Sequence, residues 1–191
     1  MKKHYATSRV PHVPQAGEKD CGPACWTMID GWAKGVHPGG VTSVKGWNAR
    51  IGLPPARMVA ALRRMKGQVA VPKSCLHPPK DGSPRSDIEK VCDDAGKSQA
   101  TAWLLLQPSW IEIENEAAIC NVGHYVLITN PRRMDPSISG VGRAFPTQAQ
   151  ERATVVVVND PSVDGPYLAA LDAVLGQGVR AWFELERTTA G

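Results

Sequence analysis

Gln15-Ala16-Gly17-Glu18-Lys19-Asp20-Cys21-Gly22-Pro23-Ala24-Cys25 is the stretch on which the reading of this chain turns. Past Asp20 the pattern becomes helical, with Ala24, Cys25, Met28, Ile29 and Trp32 recurring at the spacing of one buried helix face. Pro23 suits a first turn, where its missing N–H costs nothing; Asp20 is placed to cap the helix and Gly35 to stop it. A cysteine at such a start sits where partial positive charge and unpaired backbone N–H groups favour a thiolate, the form that attacks carbonyls. Gln15, six residues before Cys21, supplies a side-chain amide that can join the Cys21 N–H in binding a developing oxyanion.

A thiol nucleophile needs a base, and the base needs an orienting acceptor. His124 opens the apolar run 125–129, and Asp160 closes the valine run 154–159 just before Pro161. If these runs pair as antiparallel strands, the start of one lies beside the end of the other, and His124 meets Asp160 at one sheet edge. Asn159 is the rival third member, because an amide also orients an imidazole. Cys25, one turn beyond Cys21, reads as core packing, with a redox partner to Cys21 as the sharper alternative. A metal site on Cys21, Cys25 and His124 lacks a second Cys/His pair at zinc spacing, so neither metal nor organic cofactor is expected.

Outward from this constellation, residues 1–12 read as an extended arm, with Pro11 and Pro14 breaking any helix. A second helix is expected from Pro54 or Pro55 to Gly67, burying Met58, Val59, Ala61, Leu62 and Met65. Residues 68–71 suit a short strand, 72–84 a proline-rich loop, and 87–95 a helix stopped by Gly96. Residues 101–106 and the alternating 110–115 read as further strands. A polar insert, 131–152, separates the two strongest strands. A helix over 168–175 and a strand over 179–185 close the chain. Helices gather early and strands late, which is α+β and not a parallel βαβ series.

With 191 residues the chain is one domain, taken as 13–187 behind the arm. Its 42% hydrophobic and 21% charged residues exclude a mainly disordered chain, and the 18 glycines and 16 prolines point to many loops. The net charge of +4 is thinly spread; its densest stretch, Arg57 to Lys66, suits a solvated helix face, so no nucleic-acid partner is expected. No apolar stretch approaches the roughly 18 residues that span a bilayer. Five cysteines, an odd count without an apolar leader, suggest free thiols in the cytoplasm, although specialised export as an effector is compatible with the same sequence. His4, His12, His37 and His77 fall in terminal or Pro/Gly-rich segments and are expected in solvent. Gly39-Gly40 reads as a flexible link, and the tryptophans as core or groove lining.

Taken together, Gln15, Asp20-Cys21-Gly22-Pro23-Ala24-Cys25, Gly123-His124-Tyr125-Val126-Leu127-Ile128 and Asn159-Asp160-Pro161 resemble the papain-like cysteine peptidases of bacteria. The likeness is to the peptidase domain that trims double-glycine leaders from bacteriocin precursors, and to its stand-alone relatives. It covers residues 13 to 183. The resemblance implies a papain-like α+β fold, with a helix carrying Cys21 packed on an antiparallel sheet carrying His124 and Asp160. It also implies thiol-dependent hydrolysis of a peptide or isopeptide bond in a peptide or protein substrate. By position, Cys21 matches the nucleophile, His124 the general base, Asp160 the orienting acid and Gln15 the oxyanion-hole amide. No transporter membrane segment follows, and the segments 72–84 and 131–152 depart from the pattern. Two alternatives share these residues: another acyl transfer, such as glutamine deamidation or transamidation, and a non-catalytic module that holds a peptide in the same groove. The sequence does not fix the oligomeric state.

Overall fold

Runs of β-branched and aromatic residues with turn signals between them pair here into one sheet, and the amphipathic helices cover its faces. The computed structural model describes residues 8–48, 52–65, 67–78, 82–108, 123–134 and 153–188. Among these, six strands form an open antiparallel sheet: β1 (Val69–Cys75), β2 (Thr101–Pro108), β3 (Gly123–Met134), β4 (Ala153–Asn159), β5 (Tyr167–Ala170) and β6 (Ala181–Arg187). Their spatial order is β1-β6-β2-β3-β4-β5, every neighbouring pair antiparallel. Five helices accompany them: α1 (Cys21–Lys34), α2 (Pro55–Leu62), α3 (Arg85–Val91), α4 (Ala95–Ala100) and α5 (Leu171–Leu175). The chain is α+β, as the order of its patterns implied. Among the described residues no helix is long and apolar enough to cross a membrane.

Strand alternation divides the core in two. Ala102, Leu104 and Leu106 of β2, Tyr125 and Leu127 of β3 and Phe183 and Leu185 of β6 face α1 and α2, meeting Met28, Ile29, Met58 and Leu62. Their neighbours Trp103, Leu105, Val126, Ile128, Val156 and Val158 face the other way, onto Ile88 of α3 and Leu171 and Val174 near α5. Gly35 ends α1 in the left-handed region, φ 69°, its N–H on Trp32 O.

Several boundaries fall elsewhere than the sequence pattern suggests. The strand expected over 68–71 runs on to Cys75, taking Pro72 into an edge strand at a register shift between Ala70 and Lys73, where a missing N–H is tolerated. In the same way β3 continues through Pro131 to Met134, past the expected start of the insert. The shift in its pairing between Thr129 and Arg132 and the positive φ of Asn130, 49°, absorb the proline. Where one helix was expected over 87–95 there are two: Asp94 accepts the Lys97 N–H at 3.0 Å and so starts α4, leaving Gly96 inside a helix instead of at its end. The segment 168–170 is strand, because β4 offers an unpaired valine edge: Val158 pairs with Tyr167 and Val155 with Ala170. The second helix ends at Leu62, so Arg63 and Arg64 lie in the turn that follows and not on a helix face. The strand expected over 110–115 and the rest of the insert, 135–152, lie outside the described residues.

The described end of the arm is also not free. Val10 and Val13 are each 2% exposed and belong to the α1-side core. His12, expected in solvent, is partly buried, with Nε2 at 2.8 Å from Val163 O and Nδ1 sealed from solvent. His37 and His77 are exposed as expected; His4 lies outside the described residues.

Candidate active site

The site begins at the first residue of α1. Asp20 holds the N-cap position, yet its side chain makes no capping bond, and no acidic residue occupies the first turn. The positive end of the helix is therefore not neutralised from within its own first turn. Cys21 is buried there, its Sγ 3.8 Å from Gly123 O, and Cys25 one turn later puts its Sγ 3.4 Å from Tyr125 O. Four residues of helix advance about 6 Å and two residues of strand about 7 Å, so the two thiols meet alternate carbonyls of β3. Cys25 is fully buried, and burial, with the charges of Cys21 and Asp160, pushes its thiol well above the ordinary cysteine range. It packs the core as expected.

Gly22 lets Leu53 close on the helix start. A Cβ at that position would come 2.8 Å from Leu53 Cβ and 3.4 Å from Tyr125 Cδ2. The loop that presents Leu53 is fixed to the helix start: Trp47 Nε1 donates to Lys19 O at 3.1 Å, and Asn48 and Gly52 exchange backbone bonds of 3.1 and 2.7 Å.

The second half of the site lies at the ends of β3 and β4. Leu127 pairs with Asn159, which carries Asp160 past the last paired residue and toward the start of β3. There the His124 Nε2 lies 2.7 Å from Asp160 Oδ1. The same carboxylate oxygen accepts the Ser162 N–H at 2.8 Å and the Ser162 hydroxyl at 2.6 Å. Burial pulls the imidazole pKa down, but hydrogen bonding and charge from Asp160 and Cys21 outweigh it and lift it from 6.5 to about 9. Burial pushes the Asp160 carboxyl up, while hydrogen bonds from His124 and Ser162 and the imidazolium charge hold it below the usual carboxylate value.

These shifts set a pH window. His124 is lifted above 6.5, so its stabilisation is complete below 6.5 and is lost as the pH rises through about 9. Asp160 is held below 3.8, so its contribution is present above 3.8 and is lost as the pH falls through the lowered value. The charged pair is complete between these limits.

Of the sequence-derived residues, Cys21, His124 and Asp160 come together. Asn159, the rival acceptor, is fully buried and donates Nδ2 to Ser8 Oγ at 3.3 Å, away from His124. Gln15 is tied to the Asp160 turn by its backbone, its N–H on Pro161 O at 2.8 Å; its Oε1 is buried without a hydrogen-bond partner, and it makes no hydrogen bond to Cys21. Sequence reasoning missed Ser162 and His12. Asp-Pro-Ser at a strand end is the signature of an Asx turn, in which the Asp side chain accepts from two residues on, and would have found Ser162. Nothing local marks His12, whose partner is 151 residues away.

Among the described residues no cluster of three or more His, Cys, Asp or Glu could hold a metal ion. Comparison with protein-family models and with curated proteins gives no match for the chain.

Proposed function

We propose that the chain is a papain-like cysteine peptidase that hydrolyses a peptide or isopeptide bond in a peptide or protein substrate. The observation that carries this reading is the 2.7 Å bond from His124 Nε2 to Asp160 Oδ1, formed beside a cysteine at a helix start. With Nε2 held by Asp160, Nδ1 is the ring nitrogen left to face the thiol, and the raised pKa of about 9 keeps the ring protonated at neutral pH. In this reading the nucleophile is the Cys21 sulfur at the positive end of α1, working with that ring as an ion pair.

The Cys21 Sγ attacks the scissile carbonyl carbon; an S–C bond forms and the carbonyl electron pair moves onto oxygen. The Cys21 N–H and the Gln15 amide hold that oxyanion. The His124 imidazolium gives its proton to the amine as the C–N bond breaks, leaving a thioester. Water, losing a proton to His124, attacks the thioester; the S–C bond breaks and the acid leaves, restoring the ion pair. Asp160 keeps the ring turned toward the thiol throughout, as a carboxylate does in any such triad.

The test is the rate of iodoacetamide alkylation at Cys21 at pH 6, read by mass spectrometry, in the wild type, His124→Ala and Asp160→Asn. Labelling is expected to be fast in the wild type, to fall on the order of a hundredfold without His124, and to fall less without Asp160. Hydrolysis in a peptide screen is expected to vanish in Cys21→Ala. Equal labelling of the wild type and His124→Ala would overturn the reading.

A further inference from the structure

β4 ends at Asn159, and Asp160 rides on the turn that follows, outside the sheet ladder. Within this turn the bonds close on themselves: Val163 N–H on Asp160 O at 3.2 Å, and Ser162 on Asp160 Oδ1. None of these bonds joins the turn to the rest of the molecule. A carboxylate that must stay 2.7 Å from an imidazole needs its turn fixed from outside.

The segment 8–15 makes three bonds here, one to the end of β4 and two to the turn itself. Ser8 Oγ accepts from Asn159 Nδ2 at 3.3 Å, Gln15 N–H donates to Pro161 O at 2.8 Å, and His12 Nε2 sits 2.8 Å from Val163 O. A carbonyl can only accept, so the His12 ring donates from Nε2. Its other nitrogen, Nδ1, is sealed from solvent without a partner, an arrangement that costs stability and leaves the bond to Val163 as the ring's hydrogen bond. The segment is in turn pinned by Val10 and Val13 in the core beside α1.

We propose that His12 is a positioning residue: its Nε2–H on Val163 O clasps the 159–163 turn and holds Asp160 on His124. The segment that carries this latch also carries Gln15, so the acid and the oxyanion amide share one frame. This rests on the peptidase reading.

The test compares wild type with His12→Leu, which keeps bulk and removes the donor, and His12→Gln, which returns an amide N–H near the Nε2 position. The readouts are Cys21 alkylation at pH 6 per folded molecule and hydrogen exchange at the Ser162 and Val163 amides. His12→Leu is expected to label about three- to tenfold more slowly, in the direction of Asp160→Asn but less far, with both amides exchanging faster. His12→Gln is expected to recover both. His12→Asn, whose amide stops short of the Nε2 position, takes the place of leucine if that variant fails to fold. Wild-type labelling and exchange in the donorless variant would overturn the positioning role while leaving the peptidase reading standing. Wild-type labelling that does not depend on His124 would overturn both.

Discussion

The two faces of the sheet are built from the same kind of strand residue and do different work. On the α3–α5 side the buried cluster is aliphatic with one tryptophan: Leu105, Val126, Ile128, Val156, Val158 and Trp103 against Ile88, Leu171, Val174 and Leu175. It contains no buried thiol, and the buried carboxylate on this face, Glu184, sits opposite Trp103. On the α1–α2 side the cluster includes Cys21, Cys25 and Tyr125, and the start of α1 packs so closely on Leu53 that a Cβ at position 22 would come 2.8 Å from its Cβ. A core needs only volume and complementarity. A group proposed to react also needs a fixed distance from its partners.

This division can be broken most forcefully from the α3–α5 side. Ile128→Ala removes a fully buried side chain and is expected to cost about 2–5 kcal/mol in denaturant unfolding. Cys21 alkylation per folded molecule should stay at the wild-type rate; a drop would mean that the two faces are coupled.

The reverse pattern is expected for Gly22→Ala. Gly22 lies in the first turn of α1, so alanine gains at most about 1 kcal/mol over glycine, the helix-interior difference. The new Cβ would meet Leu53 Cβ at 2.8 Å, a rigid atom rather than a flexible tip, and such overpacking costs about 1–3 kcal/mol. The net loss of stability is therefore smaller than for Ile128→Ala, while alkylation of Cys21 falls because the helix start, with Cys21 beside position 22, is pushed away from Leu53. A stable variant with wild-type labelling would show that the close contact does not place the thiol.

The smallest expected effect sharpens the comparison. The Tyr125 hydroxyl is buried on the α1–α2 side without a hydrogen-bond partner, and burial with the nearby Cys21 and Cys25 charges raises its pKa. Tyr125→Phe removes that unpaired group and is expected to raise stability by about 1 kcal/mol in thermal or denaturant unfolding. A loss of stability instead would mean that the hydroxyl serves a partner.

The pieces of the fold most legible in the sequence were those set by local rules. The spacing of Ala24, Cys25, Met28, Ile29 and Trp32, followed by Gly35, is enough to specify α1, and the valine run specifies β4. What misled was chemistry that depends on a neighbour. Pro72 and Pro131 look like strand breakers until an edge position or a bulge accommodates them. Leu168 to Ala170 look helical until β4 offers them an edge, and Asp94 looks like part of one helix until its side chain caps the next.

For the site, the sequence by itself determined which groups are available: a cysteine at a helix start, a histidine opening a strand and an aspartate ending another. The proximity of His124 and Asp160 followed from one further assumption, that their strands pair antiparallel, and that pairing is present. Only the tertiary structure decided between Asp160 and Asn159. Adjacent residues leaving a strand point in opposite directions, and which one meets the imidazole depends on where the register ends. It alone seated α1 on β3 with Cys21 over Gly123, and alone brought the segment 8–15 to the Asp160 turn. Helix caps and strand alternation are fixed by residues a few positions apart, whereas a contact across 151 residues is fixed by the packing of everything between them.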